Sequence, residues 1–585
     1  MSQCEAHAHS LVQTSRYVRM RDAVNIAVSH WTNDDIPAMP VILITTRYWR
    51  AYQFREGSEA VQPYLPLVQA LKQQGYSLVI ADARGTGASF GIRDAETDQQ
   101  EVADISELIQ WIAEQRWCDG RVVTSGCSYS AITTLYSLSN APAALKLGVC
   151  RAPDFDMYRH LFAPGGIVNR WFIQTWGQVT AAQDNNTIKA LFANGYWPEP
   201  EQGAGSVLGV LPVDPKQLTA AIHEHANNFN IADDIPALDF IDGFISEKNP
   251  PLYDRFIKQG IEHHGVPAVI RCGWHDAGTA LGALAMFSSF NHPLHIILGP
   301  WNHEGTYRVD PLYAGDGNSP ERLEVGASQA MLIDTLNSVL KQGQTIERAV
   351  DYFTLGENRW KKTGHWPLPQ TQIHRWYFSE NYQLTDSAPV MDQGSDQYQV
   401  DITATTGRFN RWYAQSPDQP VFFPDRQHED NKLLVYDSLP LTADTEITGH
   451  PLVTLFLSST ASDGQFFVYL ETIDPDGRVR LLTEGQLRGL HRKVSEATPP
   501  YTLFGPYHSL QQKDAAPMVP DTVTQIAFDL LPLSVLLKKG QRIRVAIAGA
   551  DADTFDPISD TENAVIRVER NRLHASCIDL PIIPQ

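Results

Sequence analysis

Paired cysteines are missing from this chain. Its six cysteines, Cys4, Cys118, Cys127, Cys150, Cys272 and Cys577, are scattered and form no CxxC pair. That argues against a disulfide framework or a zinc site and for free thiols in a reducing cytoplasm. Excess positive charge is missing too. With 46 basic against 67 acidic residues the formal net charge is −21, which argues against a general nucleic-acid binder, because phosphate binding needs a positive field; a cationic substrate stays open. No run of about 18 apolar residues is present, so no membrane span is expected. The N-terminus MSQCEAHAHSLVQTSRYVRM lacks the basic start and apolar core of a secretory signal. A soluble cytoplasmic protein is the expectation. Oligomeric state is open, and a homo-oligomer is compatible with everything above.

The balance of 43% hydrophobic and 19% charged residues is ordinary for a globular protein. The 585 residues exceed one hydrophobic core, so two to four domains are expected. In the first third, apolar runs alternate with helical stretches. Val41–Thr46 and Ser77–Ala83 read as buried strands, separated by a helix that stops at Gly75. Val102, Ile105, Leu108, Ile109 and Ile112 share one face of a second helix. RVVTSG, a helix over AITTLYSLS and LKLGVC complete a β-α order that implies a parallel sheet covered on both faces. Residues 155–250 break the pattern with aromatics, Pro and Gly, and read as a mainly helical insertion. The alternation resumes with Pro267–Cys272, a helix over Leu281–Phe290, the strand His295–Gly299 and a helix over Ala327–Leu340. Beyond about residue 350 the period becomes two, as at Ile526, Phe528 and Leu530 and at Ile543, Val545 and Ile547, with a hairpin turn at Asp476-Gly477. An all-β sandwich is expected there.

Two serines compete as nucleophile. Gly87-Ala88-Ser89-Phe90-Gly91 matches G-x-S-x-G literally, but Ser89 lies well past its strand in a Gly-rich loop. A nucleophile elbow needs the serine on the tight turn between a strand and a helix. Gly126-Cys127-Ser128-Tyr129-Ser130-Ala131 has that context, so Ser128 is preferred over Ser89, and on these local features it is either the nucleophile or an ordinary helix N-cap. A catalytic acid and histidine must follow it in the chain. The strand ends at Gly273-Trp274-His275-Asp276 and Pro300-Trp301-Asn302-His303 supply them, with His275 as a rival base. Strand C-termini share one edge of a parallel sheet, so Ser128, Asp276 and His303 would meet there. The Tyr129 amide and the Tyr48 hydroxyl are candidate oxyanion donors. Trp171, Phe172 and Trp176 either line an acyl pocket or pack the insertion. His223-Glu224-His225 and Glu262-His263-His264 lack the spacing of helical zinc ligands. Asp551, Asp553 and Asp556 lack a glycine-centred calcium loop. Neither a metal nor a cofactor is expected.

As a set, these motifs resemble the cocaine esterase and X-prolyl dipeptidyl-peptidase family of serine hydrolases. Residues 82–91 resemble its DxRGxGxSxG loop, Gln115–Gly120 the stretch before its nucleophile strand, and Gly126–Tyr129 its GxSY elbow. Residues 273–276 and 299–303 resemble its acid and histidine motifs. The resemblance implies a triad of Ser128, Asp276 and His303, with the Tyr48 hydroxyl and the Tyr129 amide as oxyanion donors. It implies an α/β-hydrolase domain (1–154 and 251–345), an inserted helical cap (155–250) and a C-terminal all-β jelly roll of galactose-binding-like type (346–585). Tyr352–Gly356 and Trp360 resemble the entry to that jelly roll. Ala131 stands where the family usually has glycine, and His275 where an aromatic is usual. The implied activity is hydrolysis of esters, amides or short peptides through an acyl-serine. Esterase, acylase and dipeptidyl-peptidase remain in competition, and a catalytically inactive ligand-binding protein using the jelly roll is the alternative of another class.

Overall fold

The structure is a computed structural model, and it describes residues 12–32, 37–52, 62–187, 215–245, 249–313, 321–324, 326–415, 420–558 and 561–584. Ten strands form the first sheet: β1 (Val12–Arg19), β2 (Asn25–Thr32), β3 (Met39–Thr46), β4 (Ser77–Asp82), β5 (Cys118–Cys127), β6 (Leu145–Arg151), β7 (Ala268–Gly273), β8 (Leu294–Gly299), β9 (Ala349–Thr354) and β10 (Arg359–Thr363). Their spatial order is β1-β2-β4-β3-β5-β6-β7-β8-β9-β10. From β4 to β9 every pairing is parallel. Parallel strands are covered on both faces and therefore read as unbroken apolar runs; β4 and β7 are buried at every position.

Helices fill the connections. They are α1 (Leu65–Gln73), α2 (Gln99–Ala113), α3 (Tyr129–Ser137), α4 (Arg170–Asp184), α5 (Pro215–His225), α6 (Arg255–His264), α7 (Thr279–Ser289) and α8 (Ala327–Leu336). α1 ends as its sequence dictates, with Gly75 in the left-handed region at φ 73°. Asp98 caps α2 by accepting from the Gln100 amide, and the Ile105, Leu108, Ile109 and Ile112 face is buried. Between β6 and α6 the described residues form α4, α5, a 3-10 helix over Ile231–Asp239 and shorter helical turns.

Two differences from the sequence reading concern the sheet margins. β1 and β2 form an antiparallel ribbon that joins β4. β2 is flanked by β1 and β4 and buried from Ile26 to Trp31, polar Ser29 and His30 included, so burial there does not follow an alternation of apolar and polar residues. At the other margin, β9 pairs parallel with β8 and β10 antiparallel with β9. Residues 349–363, which resemble a jelly-roll entry, thus continue the central sheet. The C-terminal strands follow in a second, predominantly antiparallel sheet, including Gln465–Ile473, Val479–Arg488, Thr524–Asp529 and Arg542–Ala548. No helix among the described residues is long and apolar enough to cross a membrane.

The cap touches the C-terminal sheet at Gly165, which has φ 63°. A Cβ there would lie 2.0 Å from the Gln486 carbonyl oxygen and 3.0 Å from the Leu487 Cα. Backbone cannot yield as a side chain can. Gly165→Ala should therefore lower stability by about 1–3 kcal/mol, the usual cost of overpacking, read as a drop in Tm; an unchanged Tm would mean that this contact is not made.

Candidate active site

Ser128 sits between β5 and α3 with φ 58° and ψ −126°. A non-glycine residue pays strain for such a backbone, and a tight strand-to-helix turn imposes it. The neighbours explain why the turn can close. A Cβ on Gly126 would meet the Ser130 Cβ at 2.3 Å and the Ser130 carbonyl oxygen at 2.5 Å. Only a glycine at 126 and a small residue at 130 fit. Ala131 is fully buried in the core, so its methyl is accommodated. Ser128 makes no side-chain cap bond to α3, so the N-cap role is unfilled.

The rival serine has a different job. The Ser89 hydroxyl donates to the Asp82 carbonyl at 2.7 Å and accepts from the Ala27 amide at 2.8 Å, fully buried. Asp82 itself accepts from the Arg50 and Ala88 amides. The Gly-rich segment is a structural brace below the sheet edge.

β7 and β8 bring Asp276 and His303 to the same edge as Ser128. His303 Nδ1 lies 2.9 Å and 3.0 Å from the two Asp276 carboxylate oxygens. With its proton on Nδ1, the ring offers a basic Nε2, and that atom is buried with no hydrogen-bond partner among the described residues. Burial opposes the charged form of His303, but the Asp276 carboxylate outweighs it and holds the ring above its ordinary value of 6.5. Asp276 is fully buried and also accepts from Thr279 Oγ1 at 3.2 Å and from Gln415 Nε2 at 2.9 Å. Gln415 comes from the C-terminal half of the chain. It was not legible in the sequence, because nothing local marks a glutamine 139 residues away as the partner of a strand-end aspartate. His275 turns the other way. Its Nε2 lies 2.8 Å from the Leu482 carbonyl oxygen, and burial lowers its pKa to about 3.

Tyr48 follows β3 and lines the same small cavity as Ser128. Its hydroxyl accepts from Trp176 Nε1 at 3.2 Å. Burial raises its pKa, with Arg47 opposing, so it stays a protonated donor. The Tyr129 side chain points away from the nucleophile into a buried charge network, bonded to Glu101 and receiving Arg93 Nη1 at 2.7 Å. The ring is pinned there, leaving its amide at the start of α3.

Phe172 and Trp176 line a small cavity of about 20 Å³ with Tyr48, Ser128, Asp154 and Gln415. Of the three aromatics Trp171 takes the packing alternative in this structure: it is not among the residues of that wall and stacks on Tyr413, ring centroids 3.9 Å apart. It follows Asn169 and Arg170 at the start of α4, so its face of the helix meets the C-terminal segment instead. Asp154 is a site residue the sequence reading passed over. It follows β6 as Asp276 follows β7, and a carboxylate at a strand end was the available signal. It is 3% exposed, and its Oδ1 finds no partner among the described residues. Burial raises its pKa to about 7 against the pull of His303. Among the described residues no group of three or more His, Cys, Asp or Glu could hold a metal ion. Asp551 accepts instead from Thr406, at 2.6 Å to its hydroxyl.

Residues 22–305 match the X-Pro dipeptidyl-peptidase (S15 family) model, and residues 342–574 match the X-Pro dipeptidyl-peptidase C-terminal non-catalytic domain. A Mycobacterium bovis protein described as a serine esterase is 38% identical, covering 97% of this chain and 95% of its own length. The cocaine esterase of Rhodococcus sp. is 25% identical, with 98% of each chain covered. Among solved structures, an aminopeptidase from a marine-sediment Thaumarchaeota archaeon has a TM-score of 0.72 at 19% identity, covering 98% of this chain and 97% of its own. An α-amino acid ester hydrolase also has a TM-score of 0.72, at 18% identity over 98% and 96% of the two chains. These two likenesses concern the fold. The chain belongs to the X-prolyl dipeptidyl-peptidase and cocaine esterase family of α/β-hydrolases, and it is a serine hydrolase of ester or amide bonds.

Proposed function

We propose that the protein is a carboxylesterase acting on small esters, with Ser128 as the acylated nucleophile, His303 as general base and acid, and Asp276 as the group that orients His303. The observation that carries this is the grip of both Asp276 oxygens on His303 Nδ1, which leaves Nε2 as the basic atom of the ring, on the sheet edge that also carries the strained elbow serine. Ser128 Oγ attacks the carbonyl carbon as its proton passes to Nε2. The oxyanion of the tetrahedral intermediate takes hydrogen bonds from the Tyr129 amide and the Tyr48 hydroxyl. Nε2–H then protonates the departing alcohol, and water repeats the sequence on the acyl-serine. The similarity to a described serine esterase supports esters over amides. A second reading, cleavage next to a free substrate amine, draws on Asp154, a carboxyl with an unpartnered oxygen on the pocket wall.

A panel of aryl esters, β-lactam amides and Xaa-Pro anilides separates these readings; turnover of anilides well above esters would sink the esterase assignment. A fluorophosphonate probe should label the wild type and fail on Ser128→Ala. Labelling that survives the substitution would remove Ser128 from its role. His303→Ala should lower turnover by about 10⁴-fold or more, since triad members act as a unit.

Asp154 gives a pH prediction with a definite sign. The fold raises its pKa from 3.8 to about 7, so the folded state favours the protonated form. That contribution is complete below the unfolded value and is lost as pH rises through about 7. Asp154→Asn should therefore gain Tm relative to wild type as the pH is raised from about 5 to about 8. Ionised Asp154 also favours the His303 imidazolium, so the acid limb of kcat/KM should move to lower pH in Asp154→Asn. A Tm difference independent of pH would show that Asp154 does not titrate in this range.

A further inference from the structure

Ser128 borders a second cavity, of about 590 Å³, between one face of the sheet and helices α1 and α8. Alternate strand residues form its wall, because successive side chains point to opposite faces. The register sets Cys127 beside Arg151 and Arg151 beside Arg271. Two guanidinium groups thus stand next to each other on adjacent strands, on a wall that also carries the elbow serine.

These cations are not equally compensated. Arg151 pairs with Glu304 at 2.8 Å and contacts Cys127 Sγ at 3.3 Å. Arg271 makes no ion pair among the described residues. Its one hydrogen bond runs from Nη1 to Ser328 Oγ at 2.9 Å, and its buried Nε has no acceptor. The same Ser328 oxygen also receives Arg151 Nη1 at 2.6 Å. Two cationic donors converge on a single neutral oxygen, an arrangement that an anion would satisfy far better than a hydroxyl. Arg271 is held in place by the Trp301 ring, 3.9 Å from its guanidinium carbon. Gly305 keeps the corner open: a Cβ there would lie 2.9 Å from Ser328 Oγ and 3.7 Å from Arg271 Nη2. Among the described residues, the charged side chains around the cavity are Arg151, Arg271 and Arg322 against Glu304 and Glu324. The balance is positive, in a chain whose net charge is −21. Burial and the neighbouring Arg151 depress Arg271 to about 10, so it remains charged at neutral pH and stays under electrostatic strain.

We propose that this cavity is an anion subsite, and that the enzyme's substrates are esters or amides that carry a carboxylate, held by Arg271 and Arg151. The inference rests on the hydrolase reading and names the substrate class for it. The carboxylate can belong to the acyl group or to the leaving group, and two matched ester pairs tell these apart. On the acyl side, 4-nitrophenyl hydrogen glutarate is compared with 4-nitrophenyl pentanoate. On the leaving-group side, 4-(butanoyloxy)benzoate is compared with its methyl ester.

In the wild type, the charged member of one pair should have the higher kcat/KM. In Arg271→Met the charged-to-neutral ratio for that pair should fall about 10- to 100-fold, the scale of a charge-assisted contact, with partial recovery in Arg271→Lys. A proportional loss on both members, leaving the ratio unchanged, would assign Arg271 to bracing Trp301 and overturn the proposal. So would a wild type that prefers the neutral ester in both pairs. Binding is read separately on the Ser128→Ala protein, which does not depend on turnover: glutarate should raise its Tm and glutaramide should not. No glutarate effect refutes the subsite, whereas failure of the wild type to take the fluorophosphonate probe refutes the hydrolase reading alone.

Discussion

A carboxylate buried beyond the reach of water has to be held by hydrogen bonds, and Asp276 is held from three directions. His303, Thr279 and Gln415 all reach it. A buried charge left unpaired is costly, while each bond to it is worth about 1.5–3 kcal/mol. Gln415 belongs to a segment whose Arg411 carbonyl also receives the Ala277 amide and whose Arg411 guanidinium reaches the Trp274 carbonyl. The acid loop is therefore built partly by the C-terminal half of the chain. That region, which matches the model of a non-catalytic domain, helps hold the Asp276 carboxylate and through it the orientation of the His303 ring.

The other fixed point is the elbow. Ser128 accepts an unfavourable backbone because Gly126 and Ser130 let strand and helix close tightly. The elbow borders two cavities, a small one with aromatic walls and a larger one that holds two guanidinium groups. The first is walled by Phe172 and Trp176, with Asp154 at its side. The second is walled by the guanidinium pair. One serine thus borders both an aromatic wall and a pair of guanidinium groups.

Much of this was legible residue by residue. The buried strands from β3 to β8 are apolar runs because parallel strands are covered on both faces. The first helix carried its own stop at Gly75. The preference for Ser128 over Ser89 followed from strand–turn–helix context, and Ser89 turned out to brace Asp82 and Ala27. The margins were harder. The edge ribbon β1–β2 has little periodicity, and β9 and β10 look like all-β strands although they pair with the parallel sheet. Trp171 and Trp176 lie on one short helix and share a composition signal, but only Trp176 faces Tyr48.

The sequence by itself determined the elements, their order and the three strand ends from which the candidate triad comes. Each of these depends on local steric rules and on hydrophobic period, which act over a few residues. Tertiary structure alone decided that Gln415 closes on Asp276, that Asp154 lines the pocket of Ser128, and that Arg151 and Arg271 share one serine oxygen. Such pairings depend on strand register and on contacts between distant segments, and no local pattern encodes which buried charges end up side by side.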